Sequence, residues 1–588
     1  MSGHYERLSF LDSSFLALES RTTHFHVAGM LIFEAGPLRR ADGGIDVDQI
    51  RSFIESRLHL IPRYRQHLAY VPFERYPVWV DDAHFSIDYH IRHTSLPKPG
   101  TFDQLKRQMG LLCSQQLDRT KPLWELNVVE GLEDDRFAII TKIHHAMIDG
   151  IASVDLMAVL LNLAPVTQFE PAAPFEPRPA PTGSELVLRE TARRAGRAVA
   201  AMRSVQTLAE DVQSIAMQGA RRVRAVRNSL GSGWLTAATK TPLNGTIGPN
   251  RRFGTLKISL DDVKEIKNAL GGTVNDVILA TTAGGVRRYL AETHDFDVEG
   301  IDFRVMAPVS VRSPSQRGTL GNQVAMWLAS LPVAEPDPRE RLAAVRAETV
   351  KLKETDQALG AASLVRMSSG APATLVSMAS RLATGARPFN MTVTNVPGPQ
   401  FPLFMLGSQL LGQYPLVPLW HGHGVGIALF SYNNEIAWGF NADYDVMEDI
   451  EDFVVAVEAS FEEMLAVARG AKSPARAGSG GAASRRPKAG PAVPKKRPPL
   501  GSGATKAVSK RASGAKAEPK KAQGKKAQTK KAQTEAKGAA AKPAGSPLPA
   551  KKKPVAAKPV AAKPRAAGNV ASKTPRSGAH AESSKKKA

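Results

Sequence analysis

The last 118 residues of this 588-residue chain, from Ala471 onward, contain no Phe, Trp or Tyr. They carry 31 Lys and Arg against 3 Asp and Glu, and are otherwise mostly Ala, Pro, Gly and Ser. Short echoes recur: Lys520-Lys521-Ala522-Gln523, Lys525-Lys526-Ala527-Gln528 and Lys530-Lys531-Ala532-Gln533. Such a segment cannot bury enough apolar surface to offset the entropy of ordering it, so it is expected to be disordered. Packed structure must come from the residues before it. The tail also carries the positive balance. The chain is +23 overall, but the body holds 47 basic and 52 acidic residues and is mildly acidic. A flexible polycation fits DNA, anionic phospholipid or polyphosphate, binding phosphates with counterion release. Without aromatics it lacks stacking groups for single-stranded bases. The alternative is a solubilising tail with no dedicated partner.

Inside the body, the run His144-His145-Ala146-Met147-Ile148-Asp149-Gly150 stands out. It follows Arg136 to Ile143, which alternates as a strand does, and precedes Ile151 to Leu163, an apolar run long enough for a helix. Loops between such elements often carry catalytic groups on a rigid frame. A neutral imidazole is the natural general base near pH 7, because its ordinary pKa is about 6.5. Acyl transfer to an alcohol needs such a base: the hydroxyl is a weak nucleophile until its proton leaves. A positioned base contributes about 10²–10⁴-fold. One histidine of the pair can face a shared substrate, and we assign His145 to it, with His144 packed or hydrogen-bonded behind. Asp149 either contacts the imidazole or pairs with an arginine to hold the loop; the structural role is favoured. Gly150 lets the backbone turn without a clashing Cβ. The bland alternative is a pair of satisfied core or loop histidines.

No metal site is expected. The motif lacks the His-x-x-x-His spacing that puts two ligands on one helical face, and the chain has one cysteine, Cys113. His421 and His423 would share a face of an expected strand, but a third ligand is not visible. One cysteine also excludes an intrachain disulfide framework and leaves Cys113 a packing role. No signal peptide and no stretch of about 18 apolar residues is apparent, so a cytoplasmic protein is expected.

HHAMIDG resembles the HHxxxDG signature of the CoA-dependent acyltransferase superfamily. Further segments are similar to the bacterial wax ester synthase/diacylglycerol acyltransferase family within it. These are the opening block Leu8-Ser9-Phe10-Leu11-Asp12 through Phe15-Leu16 and Glu19, then Pro122-Leu123-Trp124-Glu125 and Thr273-Val274-Asn275-Asp276-Val277. Pro308-Val309-Ser310-Val311-Arg312, Gly321-Asn322-Gln323 and Thr394-Asn395-Val396-Pro397-Gly398-Pro399 follow in order. The resemblance implies transfer of a fatty acyl group from acyl-CoA, a co-substrate, to diacylglycerol or a long-chain alcohol, with no acyl-enzyme and no other cofactor. His145 would take the acceptor's proton and return one to the departing CoA thiolate. Asn275 is the candidate for shaping the second half of the site, with Asp276, Trp124 and Asn395 beside it. Each has a plainer reading. Asn275-Asp276 would cap a helix beginning at Val277, Trp124 would be a core aromatic, and Pro397-Gly398-Pro399 reads first as a turn. Lipid substrates also imply peripheral contact with a membrane or lipid inclusion. A condensation-type, amide-forming domain and a tethering protein with an inactive body are the rival readings.

The expected fold is α/β, in α+β layers: two chloramphenicol-acetyltransferase-like halves joined by a helical linker, followed by the tail. The boundaries are 1–165, 166–250, 251–469 and 470–588. Strands are expected at Ala28 to Phe33, Arg136 to Ile143, Val305 to Val311 and Ile427 to Phe440. Helices are expected at Val47 to Leu58, Phe102 to Leu117, Asp337 to Leu352 and Ile450 to Ala468. Prolines at 171, 174, 177, 179 and 181 mark a semi-extended linker. Glu185 to Leu230 reads as a long helix or helix pair with arginines near its ends, packed on the body or lying on anionic lipid.

Overall fold

Alternating burial shows how β7 (Arg136–His144) organises the first half: Phe137, Ile139 and Ile143 enter one core, Ala138 and Ile140 another. That is the pattern of a strand covered on both faces. The computed structural model describes residues 3–147, 157, 159–208, 236–310, 324–354 and 387–472. The disordered tail expected from the sequence lies outside the described residues. Before β7 come β1 (Glu6–Arg7), α1 (Phe10–Leu18), β2 (His26–Glu34), α2 (Val47–Arg57), β3 (Gln66–Tyr70), β4 (Pro77–Asp81), α3 (Ile87–His90), β5 (Ile91–Ser95), α4 (Phe102–Cys113) and β6 (Trp124–Leu132). After it come α5 (Gly183–Leu208), β8 (Arg251–Ser259), α6 (Leu260–Leu270), α7 (Val274–Arg288), β9 (Arg304–Ser310), β10 (Val324–Ser330) and α8 (Pro338–Glu354). The chain closes with β11 (Met391–Pro397), β12 (Phe404–Met405), β13 (Ser408–Leu416), β14 (Val425–Tyr432), β15 (Glu435–Asp443) and α9 (Ile450–Lys472).

Each half is built on a six-stranded sheet, one in the order β12-β13-β2-β7-β6-β5, the other β10-β9-β11-β14-β15-β8. A small sheet, β1-β4-β3, flanks the first. Local signals set the helices. Thr101 and Gln104 cap α4 reciprocally, which satisfies two orphan N–H groups of its first turn. In the second half α6, α7, α8 and α9 pack Val263, Val286, Leu342 and Val457 against Trp438 and Phe440 of the sheet.

Several expectations need correction. Sheet membership crosses the expected boundary between the halves: β13 pairs antiparallel with β2, from Leu410 opposite Phe33 to Leu416 opposite Ala28. The stretch Ile427 to Phe440 is a hairpin, β14 and β15, turned at Asn433 and Asn434 with φ of 47° and 66°, the left-handed pair that a two-residue hairpin turn requires. His421 and His423 lie in a turn before β14 rather than on a strand. Residues 166–182 have no regular element, as expected, but are tied down: Arg178 donates to Asp81 from Nε at 2.8 Å and Nη2 at 2.7 Å. The expected helix at 151–163 and the second half of the 185–230 helix fall largely outside the described residues.

Two glycines set how closely the halves approach. A Cβ on Gly439 of β15 would lie 1.7 Å from the Pro415 carbonyl oxygen of β13, and one on Gly110 of α4 would lie 2.6 Å from that of Arg251. Both contacts join one half to the other, and only the absence of a side chain permits them. Arg251 reinforces the junction. Its N–H donates to Ser114 Oγ at 2.8 Å, and its guanidinium pairs with buried Asp443 and donates to the Thr22 carbonyl.

Candidate active site

β7 ends at His144, and the chain turns at once through a single 3₁₀ turn, His145–Met147. The turn is hung from its neighbours: His144 N–H donates to the Leu123 carbonyl at 2.9 Å and His145 N–H to the Phe25 carbonyl at 2.8 Å. Asp149 and Gly150, expected to hold this loop, lie outside the described residues.

The ring of His145 packs on Phe15, with centroids 4.2 Å apart. Its Nδ1 is buried without a hydrogen-bond partner among the described residues. Burial pushes its pKa down to about 4; a contact with its own backbone opposes this and the nearby His144 adds to it. Near pH 7 the imidazole is therefore neutral, the form a general base needs. From His145 an aromatic chain crosses to the second half: Phe15 to Phe25 at 5.5 Å, then Phe25 edge-on to Trp420 at 5.1 Å.

His144 has a different environment. It is buried, and its Nδ1 accepts from the Ala146 N–H at 3.1 Å. In the neutral ring that leaves the proton on Nε2. Nε2 lies 3.6 Å from Oε2 of Glu19, a carboxylate buried at the end of α1. Arg119 closes the cluster, donating from Nε to Glu19 at 3.1 Å and from Nη2 to the Leu16 carbonyl at 2.9 Å. His26, opposite His144 across the β2–β7 pair, places Nε2 3.4 Å from the other Glu19 oxygen. Burial alone would raise the Glu19 pKa. Contacts with His144, His26 and Arg119 outweigh it and hold the carboxyl well below its usual range. Burial pushes His26 down to about 3, so near pH 7 the Glu19 anion faces the Arg119 guanidinium and a neutral His26 ring.

Sequence reasoning quoted Phe15 and Glu19 only as part of an opening block, and missed Arg119 and His26. The usable signal was spacing: Phe15 and Glu19 are four residues apart and so share a face of α1. One meets His145 and the other His144. Lys142, two residues before His144 on β7, is also fully buried. Its Nζ donates to the Leu112 and Gln115 carbonyls at 3.1 and 3.2 Å and lies 3.1 Å from Glu125. It ties the end of α4 to the strand carrying the motif.

The other expected residues fall in three places. Trp124 is a core side chain, 1% exposed, with Nε1 donating to the Tyr64 carbonyl at 2.8 Å and its face on His90 at 4.4 Å. Pairing opposite Ile143, it braces the strand that carries the motif. Asp276 is a structural residue inside a helix that starts earlier than expected. Thr273 is the N-cap of α7, and Asp276 at its third position completes the capping box. Both carboxylate oxygens are used, one by Thr273 and the other by Thr349 Oγ1 at 2.8 Å. Asn275, exposed beside it, accepts from Asn395 Nδ2 at 2.8 Å. This contact joins the Asn-Asp block to the Thr-Asn-Val-Pro-Gly-Pro block. Val396, next to Asn395, packs against the core that holds Ile143, Ala146 and Met147.

Candidate metal ligands are committed elsewhere. Both ring nitrogens of His423 face carbonyls, of Phe389 at 2.8 Å and His421 at 2.9 Å. Cys113 is buried, and burial pushes its thiol up to about 12.

Comparison with known proteins matches this architecture. A family model described as the wax ester synthase/diacylglycerol acyltransferase catalytic domain covers residues 8–278, and the C-terminal domain of the same family covers residues 320–465. A probable diacylglycerol O-acyltransferase of Mycobacterium tuberculosis, tgs1, is 30% identical over 479 residues, 80% of this chain and 98% of the relative. A second from that organism, tgs2, is 32% identical over 467 residues, 77% and 97% of the two chains. The solved wax ester synthase/diacylglycerol acyltransferase of Marinobacter aquaeolei VT8 superposes with a TM-score of 0.55 at 24% identity, covering 79% of this chain and all of that one. A condensation domain of the calcium-dependent antibiotic synthetase superposes with a TM-score of 0.51 at 16% identity, over 79% of this chain and 96% of that domain, and shares the fold alone. The mixed α/β body with two sheet-rich halves is that of an acyltransferase, and the chain belongs to the wax ester synthase/diacylglycerol acyltransferase family.

Proposed function

We propose that this chain esterifies a neutral lipid alcohol, diacylglycerol or a long-chain alcohol, with a fatty acyl group from acyl-CoA, using His145 as the base. One observation carries this reading: a neutral imidazole at the end of β7, inside the family's catalytic domain, with its neighbour His144 set beside the Glu19 carboxylate. The acceptor hydroxyl gives its proton to His145 as its oxygen forms a bond to the thioester carbonyl carbon. The tetrahedral oxyanion then collapses, the carbon–sulfur bond breaks, and the CoA thiolate takes the proton from His145. Asn275 is the candidate donor to the oxyanion; its carbonyl oxygen is occupied by Asn395, which leaves its amide N–H groups for the substrate. Direct transfer without an acyl-enzyme fits Cys113, whose thiol is buried and held protonated. Glu19 acts through His144: it selects the Nε2–H tautomer, and the bare Nδ1 fixes the Ala146 N–H and with it the turn that aims His145.

The test is purified enzyme and its His145→Ala variant with labelled palmitoyl-CoA and either diolein or hexadecanol. Ester formation that falls about 10²–10⁴-fold in the variant supports the assignment, and the product identifies the acceptor. Equal rates in the two proteins would remove His145 from the chemistry. The basic tail is proposed to bind DNA, anionic phospholipid or polyphosphate independently of catalysis. Deleting residues 471–588 should leave specific activity intact and abolish salt-sensitive binding to these polyanions.

A further inference from the structure

We propose that the tip of the β3–β4 hairpin, with Phe73 at its apex and α5 packed beside it, is an anchor that inserts into an anionic lipid surface. The inference rests on the lipid-acceptor reading and locates where the protein meets the phase in which that acceptor is dissolved.

The hairpin turns through Val71-Pro72-Phe73-Glu74-Arg75-Tyr76. Glu74 N–H donates to the Pro72 carbonyl at 2.8 Å, and Phe73 between them has φ of 65°. This is the γ-turn of positive φ, which is rare and strained, and a bulky aromatic is a poor occupant of it. Phe73 is nevertheless 97% exposed, the most exposed large apolar side chain among the described residues. A residue that strains the backbone without burying itself contributes nothing to the fold of the isolated chain, so its use lies in contact with something else.

The surroundings identify the contact. Tyr70 at the base of the turn and Leu188 on α5 are also exposed. α5 is fixed to this hairpin: Leu186 packs with Val71, Val78 and Val80, and Arg194 pairs with Glu74 at 2.6 Å. Two carboxylates of this unit are claimed by arginines, Glu74 by Arg194 and Glu190 by Arg7 and Arg193, while Glu185 accepts from Thr182. Arg75, exposed beside Phe73, has no carboxylate partner among the described residues and stands as surplus positive charge on a body that is acidic overall. Apolar side chains among arginines are the composition of a surface that rests at the headgroup boundary with its apolar groups below it. Among the described residues no helix is long and apolar enough to cross a membrane.

The experiment uses the full chain with Phe73→Trp and Phe73→Ser. Vesicles contain phosphatidylcholine, phosphatidylglycerol and a little diolein, with or without brominated acyl chains. Binding is read at about 1 M salt, where a Debye length of about 3 Å suppresses the contribution of the basic tail. Quenching of Phe73→Trp by brominated chains, beyond that of the wild-type tryptophans, with a loss of partitioning of about tenfold in Phe73→Ser, is the expected result. Turnover of a water-soluble short-chain alcohol should be unchanged in both variants. Quenching equal to wild type, together with wild-type partitioning of Phe73→Ser, would overturn the proposal. If neither diolein nor any alcohol is esterified while Phe73→Trp is still quenched, the anchor stands and the acceptor reading falls.

Discussion

Glu19 Oε2 lies 3.6 Å from Nε2 of His144, and no part of that contact is open to solvent, since both side chains are about 1–3% exposed. The motif's first histidine is thereby held by an anion from α1, while its second faces an aromatic. The two adjacent imidazoles therefore sit in different surroundings, one beside a carboxylate and the other against an aromatic ring.

Replacing Glu19 by Gln keeps the shape and removes the charge. The His144 ring is then free to flip its tautomer, and His145 loses its fixed aim. A fall in kcat of about 10²-fold with KM nearly constant is expected, because small displacements of a base cost that much. The thermal midpoint should also fall, because Arg119 loses its buried carboxylate partner, so kcat is compared well below that midpoint, and Glu19→Asp should recover part of kcat. A change in KM alone would place Glu19 in substrate binding instead.

Acidification should act on stability in one direction. His26 and His145 have folded pKa values of about 3 and about 4, below their ordinary 6.5, so the unfolded chain takes up protons first. Their contribution is complete above pH 6.5 and is lost as pH falls toward those values. Glu19, also held low, adds to the loss below its ordinary 4.5. The denaturant midpoint should be flat above neutrality and fall below about pH 6.5, with a shallower slope in His26→Gln. The acid limb of kcat should lie nearer 4 than 6.5. A midpoint that rises on acidification would show the histidines to be charged in the fold.

Asp276 and Asn275 should separate stability from catalysis. Asp276→Ala removes the reciprocal half of the α7 capping box and the Thr349 contact, leaving Thr349 its bond to the Arg346 carbonyl, at a cost of about 1–2 kcal/mol of stability. Asn275→Ala should leave stability within about 0.5 kcal/mol and lower kcat. Combined with Asn395→Ala, its effect on kcat should be smaller than additive, because the two amides act through one hydrogen bond. Additive losses would mean that the residues act apart.

Gly439→Ala tests the junction between the halves. The new Cβ would meet the Pro415 carbonyl oxygen at 1.7 Å, a backbone atom that cannot swing away. We expect a loss of more than about 2 kcal/mol, read as a lowered denaturant midpoint, with activity falling although residue 439 is outside the chemistry. Wild-type stability would show that the halves can part without penalty.

Much of the framework was legible because it depends on period. The alternation of Arg136 to Ile143 and the helical spacing of Val47 to Leu58 each report one buried face, and the structure has a strand and a helix there. The hairpin at residues 425–443 is not legible as two strands, because its Asn433-Asn434 turn barely interrupts the apolar pattern. The start of α7 was misplaced because Asn and Asp cap helices well, yet Thr273 two residues earlier was the better-placed acceptor. Trp124 and Asp276 carry family motifs but are committed to a core and a cap, which spacing cannot distinguish from a site.

The sequence by itself determined which segments can fold, where the histidine pair sits relative to a strand, and which family's blocks the chain carries in order. Those are properties of composition and of neighbours along the chain. Only the tertiary structure decided that Glu19, 125 residues before His144, is its partner. It alone decided that β13 crosses into the first sheet, and that Asn275 meets Asn395. Contacts of that kind arise where separate elements pack, and burial sets their strength: the same carboxylate and imidazoles in water would ignore one another.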